Sequence, residues 1–175
     1  RSVYRRVLGC AQGWSEPKMS DFLPAFERMI LNEGGYKLHT VPGDRGGQTY
    51  AGIARNAWPK WAGWAYIDAG DTPPAEMVRG FYRANFWTPL RLEEVQSPDI
   101  ARTLFDFAVN AGTGTASKLA QVVAGVTPDG RIGPKTLAAL NMSDPDVFLA
   151  RFALAKIARY RDIVTRDRGQ AKFLL

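Results

Sequence analysis

Apolar residues at Phe22, Phe26, Met29 and Ile30 recur three to four positions apart, a spacing that predicts one buried stripe along a helix. Ser20 is predicted to cap that helix, with Asp21 in its first turn and Pro24 early enough to be tolerated. Continuing the stripe by three from Ile30, or four from Met29, reaches Glu33, and Gly34 then supplies the stop. An acidic side chain thus stands on the apolar edge of a helix just where the chain is about to turn.

The rest of the chain reads as further helices with one exception. Residues 40–54 contain Val41-Pro42-Gly43-Asp44 and Gly46-Gly47, which predicts a loop or short irregular hairpin. Trp58, Trp61 and Trp64 follow at every third position and are read mainly as packing anchors of a short helix beginning near Pro59, with one ring free to reach a groove. Thr72 is predicted to cap a helix opening at Pro73-Pro74 and running to about Trp87. Ser97-Pro98 opens another that ends near Gly112. Helices are also expected from Thr115 to Gly125, from Pro134 to Leu140 after the turn TPDG, and from Pro145 to about Thr165 behind Asp144. The expected fold is mainly α, with the short hairpin or loop beside Glu33.

Composition narrows the partners. A chain of 175 residues, 46% hydrophobic, can close one core, or one core with a small appended subdomain. The formal net charge of +6 suits an anionic partner, and by itself does not choose among nucleic acid, an anionic membrane surface and a wall polymer. With one cysteine, Cys10, and one histidine, His39, neither an internal disulfide nor a zinc site is expected, and no cofactor is implied. No run of about 18 apolar residues predicts a transmembrane helix. In residues 1–18 the V-L-G-C stretch has only Val7 and Leu8 before Gly-Cys, against the roughly 7 to 15 apolar residues of a signal peptide. That segment is read as an extension, non-native or upstream, with a natural start at Met19.

A carboxyl on an apolar helix face is poorly solvated, which disfavours its charged form and raises its pKa. Glycoside hydrolysis uses such an acid to protonate the leaving oxygen, with a second polar group handling water or developing positive charge. Asp44 and Thr49 are the nearest candidates, eleven residues after Glu33 and five after that. Spacing alone leaves the plainer reading open: Asp44 fills a turn, Thr49 starts a strand, and Glu33 is an exposed helix end. Asp106 and Asn110, four apart on one face of an otherwise apolar helix, need partners and are read as structural first, with Asn110 a secondary substrate contact. Tyr36 and Tyr50 flank the acid on the segments that would line a site. Basic residues of the last helix, such as Arg151, Lys156 and Arg159, read as a solvated face, and no nucleic-acid partner is expected.

Glu33-Gly34-Gly35-Tyr36 and the loop from Pro42 to Ile53 resemble the signature of the secretion-activator muramidases, glycoside hydrolase family 108. The similarity continues through residues 104–112 (LFDFAVNAG) and 129–137 (DGRIGPKTL), the latter being similar to that family's C-terminal predicted peptidoglycan-binding region. The chain departs from the family pattern just after Tyr36, where Lys37-Leu38-His39 stand. The resemblance implies a lysozyme-like catalytic region over 19–112 with a helical peptidoglycan-binding-like region, 113–175, packed on it. It implies hydrolysis of the β-1,4 linkage between N-acetylmuramic acid and N-acetylglucosamine by Glu33, assisted by Asp44 and Thr49. A lytic transglycosylase and a non-catalytic wall-binding module are the alternatives. It further implies a monomer that is made in the bacterial cytoplasm and acts at the periplasm or cell wall. The route there would be a holin-like pore or a dedicated exporter, without membrane insertion, in phage lysis or specialised secretion.

Overall fold

The computed structural model describes residues 19–40 and 47–166, so the extension 1–18 and Asp44 lie outside the described residues. The elements are α1 (Phe22–Asn32), β1 (Leu38–Thr40), β2 (Gln48–Tyr50), β3 (Ile53–Ala54), α2 (Gly63–Asp68), α3 (Ala75–Tyr82), α4 (Pro98–Ala111), α5 (Thr113–Val123), α6 (Pro134–Met142) and α7 (Pro145–Arg166). Between α3 and α4 lie a π-helical turn, Arg83–Trp87, and two 3-10 turns, Thr88–Leu90 and Leu92–Glu94. The fold is mainly α, as expected, and the Gly-rich stretch belongs to a small antiparallel sheet ordered β1-β2-β3. Its register pairs His39 with Thr49, and Thr49 in turn with Ala54.

Several helix starts differ from the sequence reading. Asp21, not Ser20, caps α1: its Oδ1 accepts from the Leu23 N–H at 3.0 Å. Ser20 is buried, and its hydroxyl donates instead to the Val95 carbonyl at 2.5 Å, joining the start of α1 to the segment before α4. α3 begins at Ala75: Pro74 is its N-cap, with an extended ψ of 141°, and a residue that precedes a proline, as Pro73 does, is disfavoured in the helical region. Its α-helical part ends at Tyr82, where the wider π turn takes over. The helix of the tryptophan segment starts at Gly63 rather than Pro59, and α5 at Thr113.

Aromatic rings knit the N-terminal half together. Phe22 on α1 meets Trp87 and Phe105 at centroid distances of 5.5 and 5.9 Å, and Phe26 meets Tyr82 at 5.9 Å. Each such side chain contributes about 2–3 kcal/mol by leaving water, so this cluster sets where α1, α3 and α4 sit. Trp64 is buried with its Nε1 donating to the Trp58 carbonyl at 2.8 Å, and Trp61 lies parallel to Tyr50 at 6.1 Å. The tryptophans therefore pack the sheet onto α2 and α3, while Trp58 keeps one face exposed against Phe81. Arg55 after β3 pairs with Asp68 of α2 through two 2.7 Å bonds and also reaches Gln48.

α4 lies between the two halves, packing on α1, α5 and α7. The long α7 is anchored by Phe148 and Phe152, the latter edge-on to Phe107 of α4 at 5.5 Å. The TPDG turn is organised by a residue that no motif singles out. Gln121 on α5 is buried. Its Nε2 faces Asp129 Oδ1, the Arg131 carbonyl and Thr136 Oγ1 at 2.7–3.1 Å, while its Oε1 accepts from the Gly130 N–H at 2.8 Å.

Candidate active site

Glu33 is the C-cap of α1, directly after Asn32, with φ −77° and ψ 4°. The Gly35 N–H returns to the Ile30 carbonyl at 2.8 Å and the Gly34 N–H to that of Leu31 at 3.1 Å, a Schellman ending. That ending needs a left-handed residue, and Gly34, at φ +87°, supplies it. The chain therefore turns away immediately after Glu33, while the carboxyl stays on the buried stripe of α1 and is half-buried.

The opposite wall is the two-residue turn joining β2 to β3. Ala51 and Gly52 both have positive φ, 50° and 78°, the pattern of a type I′ hairpin turn. A left-handed alanine costs roughly 1–2 kcal/mol. Part of what holds it is Tyr82, whose buried hydroxyl donates to the Ala51 carbonyl at 2.8 Å. Gly52 is where the three pieces meet. A Cβ on it would lie 2.5 Å from Tyr82 Oη and 3.2 Å from both Glu33 Cγ and Glu33 Oε2. The hairpin backbone thus lies directly against the carboxyl of Glu33, and only glycine permits that approach.

Burial raises the Glu33 pKa above the usual carboxylate range, and the negative charge of Asp106 on α4 raises it further. Asp106 is itself shifted upward by burial, against the opposing pull of Arg102, Arg28 and Lys156. Tyr82 is shifted upward by burial and then by Glu33, so it remains a neutral donor to Ala51. The arrangement favours a protonated carboxyl at higher pH than a free glutamate would allow, which is the state of a general acid.

Of the other residues expected at the site, Thr49 occupies the central strand, half-buried, two positions before the turn that touches Glu33. Tyr50 is buried, and its hydroxyl has no hydrogen-bond partner among the described residues. Tyr36 is exposed, its phenol within electrostatic reach of Arg79, Glu76, Glu27 and Tyr50. Asn110 is exposed near the end of α4 and donates through Nδ2 to the Asp106 carbonyl at 2.9 Å. Asp44 falls outside the described residues. Tyr82 and Gly52 were not legible as site residues. Asp106 carried a visible signal, a carboxylate on an apolar helix, read as structural. Among the described residues no cluster of three or more metal-ligating side chains occurs, and no helix is long and apolar enough to cross a membrane.

Residues 26–112 match the family model described as glycosyl hydrolase 108, and residues 115–175 match that of a predicted peptidoglycan domain. The fold is similar to the structure of Brucella abortus SagA, with a TM-score of 0.66 and 25% identity over 87% of each chain. No curated protein matches the sequence. Glu33, Gly52, Tyr82 and Asp106 all lie inside the first matched span, on a lysozyme-like helical scaffold. The chain belongs to the glycosyl hydrolase 108 family, a glycosidase acting on peptidoglycan.

Proposed function

We propose that the protein is an N-acetylmuramidase that hydrolyses the β-1,4 linkage between N-acetylmuramic acid and N-acetylglucosamine, with Glu33 as general acid. The observation that carries this reading is the half-buried carboxyl of Glu33, wedged against the Gly52 turn and raised in pKa by burial and by Asp106. Glu33 protonates the glycosidic oxygen as the bond to the anomeric carbon breaks. Thr49 orients the attacking water and Asp44 stabilises the positive charge or helps activate that water, roles drawn from the order of the motif. Water attacking from the face opposite Glu33 makes the reaction inverting. The division of labour follows the two regions, 19–112 cutting and 113–175 holding the polymer. The enzyme works as a monomer at the cell wall, reached through a holin-like pore or a dedicated exporter.

The test is loss of turbidity of purified peptidoglycan with native protein and Glu33→Gln in parallel. General acid catalysis contributes about 10²–10⁴-fold, and the variant should be slower by that factor. Equal clearing by both would overturn the assignment. Mass spectrometry of the products separates hydrolysis, which leaves a reducing end, from transglycosylation, which leaves an anhydro-sugar lighter by one water. Anomer analysis by NMR tests inversion.

A further inference from the structure

Between α4 and α7 lies a small cavity of about 230 Å³ lined by Thr103, Asp106, Phe107, Asn110, Lys156 and Tyr160. Its floor is α4, from the span matched as glycosidase, and its wall is α7, from the span matched as peptidoglycan domain. Asp106 links it to Glu33: α4 packs on α1, and the Asp106 charge is felt at the Glu33 carboxyl.

Three features say what kind of group belongs there. Asp106 Oδ1 is buried with no hydrogen-bond partner among the described residues, an acceptor able to take a donor from a ligand. Lys156 lines the same cavity; its Nζ stands 5.8 Å from the Phe152 ring centroid, and it forms no salt bridge among the described residues. Of the two rings that line it, Phe107 is buried and Tyr160 is half-buried against the core, which limits the aromatic surface open to a sugar ring. An acceptor and a cation lining one cavity suit a chain carrying both amide N–H groups and carboxylates.

We infer that this cavity is a subsite for the peptide stem of peptidoglycan, with Lys156 pairing a stem carboxylate and Asp106 accepting from a stem amide. The stem hangs from the muramic acid residue, so holding it next to Glu33 sets which of the two alternating linkages is presented to the acid. The inference rests on the muramidase reading for its biological meaning, but the binding step is independent of turnover.

The direct test titrates the full-length protein by NMR with a soluble muramoyl tripeptide and, in parallel, with a peptide-free chitin tetrasaccharide. A charge-assisted contact in a partly enclosed site is expected to hold tenfold or more in affinity, so Lys156→Met should weaken tripeptide binding by about that factor. Lys156→Arg should retain most of it. Unchanged tripeptide affinity in Lys156→Met, with the variant folded by circular dichroism, overturns the subsite, as does tripeptide binding that leaves the resonances of α4 and α7 unmoved. The same preparations are assayed on whole peptidoglycan and on strands stripped of stems. Lys156→Met should lower the ratio of kcat/KM for stem-bearing over stripped strands about tenfold, through KM. A native protein that binds tripeptide through Lys156 yet cuts neither polymer would sink the muramidase reading and leave the subsite standing.

Discussion

Replacing Gly52 by alanine is the sharpest test of the site's geometry. The new methyl would begin 2.5 Å from Tyr82 Oη, and restoring an ordinary contact of 3.4 Å requires a retreat of about 0.9 Å. Tyr82 has little room to give, because its ring is held by Phe26, Phe81, Phe86 and Phe105. On the other side the methyl meets Glu33 Cγ and Oε2 at 3.2 Å. Two penalties therefore combine: roughly 1–2 kcal/mol for a left-handed alanine and roughly 1–3 kcal/mol for overpacking. Gly125→Ala supplies the comparison, since Gly125 has a similar φ of 73° with open space where its Cβ would go. It incurs the first penalty alone. In a chain of this size each kcal/mol moves the melting temperature by about 2–4 °C, so Gly52→Ala should melt about 2–12 °C below Gly125→Ala. Pushing the acid or the turn by close to 1 Å should also lower kcat by about 100-fold. Paired melting curves and turbidity rates measure both. If Gly52→Ala melts with Gly125→Ala and keeps native kcat, the hairpin does not lie against Glu33 and the reasoning fails.

Other outcomes follow from the same contacts. Asp106→Asn removes a negative charge that holds the Glu33 pKa up, so the alkaline limb of the pH–rate profile should move to lower pH, while burial keeps it above that of a free glutamate; an unmoved limb would separate the two residues. Because the Glu33 pKa is raised in the folded state, the native protein binds this proton more tightly than the unfolded chain. Stability from it is present at low pH and is lost as pH rises from the unfolded carboxylate value through the folded one. Glu33→Gln should therefore gain melting temperature relative to native protein at neutral pH, with the gain shrinking on acidification. Gln121→Ala should cost about 2–4 kcal/mol in denaturant unfolding by leaving Gly130 N–H and the Asp129 and Thr136 partners unmet, and near-native stability would refute its role in the turn. Ser20→Ala leaves the buried Val95 carbonyl without its donor and should cost about 1–3 kcal/mol.

What the chain's own order determined is mostly local. The stripe of Phe22, Phe26, Met29 and Ile30 specified α1 and the side of it that is buried, and with the glycine pair after Glu33 it specified where an acid would be left at a helix end. Helical periodicity and the glycine stop are properties of neighbouring residues, so they survive without knowledge of the rest. The motif order around Glu33 likewise carried the family. Caps were less legible: Ser20 and Asp21 are both good cap residues, and the choice fell to Asp21 because a carbonyl 75 residues away claims the Ser20 hydroxyl. Gly52, Tyr82 and Asp106 come from a hairpin turn, from α3 and from α4, and nothing in their spacing relates them to Glu33. Their meeting is decided by the aromatic cluster that packs α1, α3 and α4 together, since burial of those rings is non-directional in sequence and fixes distances only once the core has closed. The carboxyl's place in the chain was readable; the surroundings that raise its pKa exist only in three dimensions.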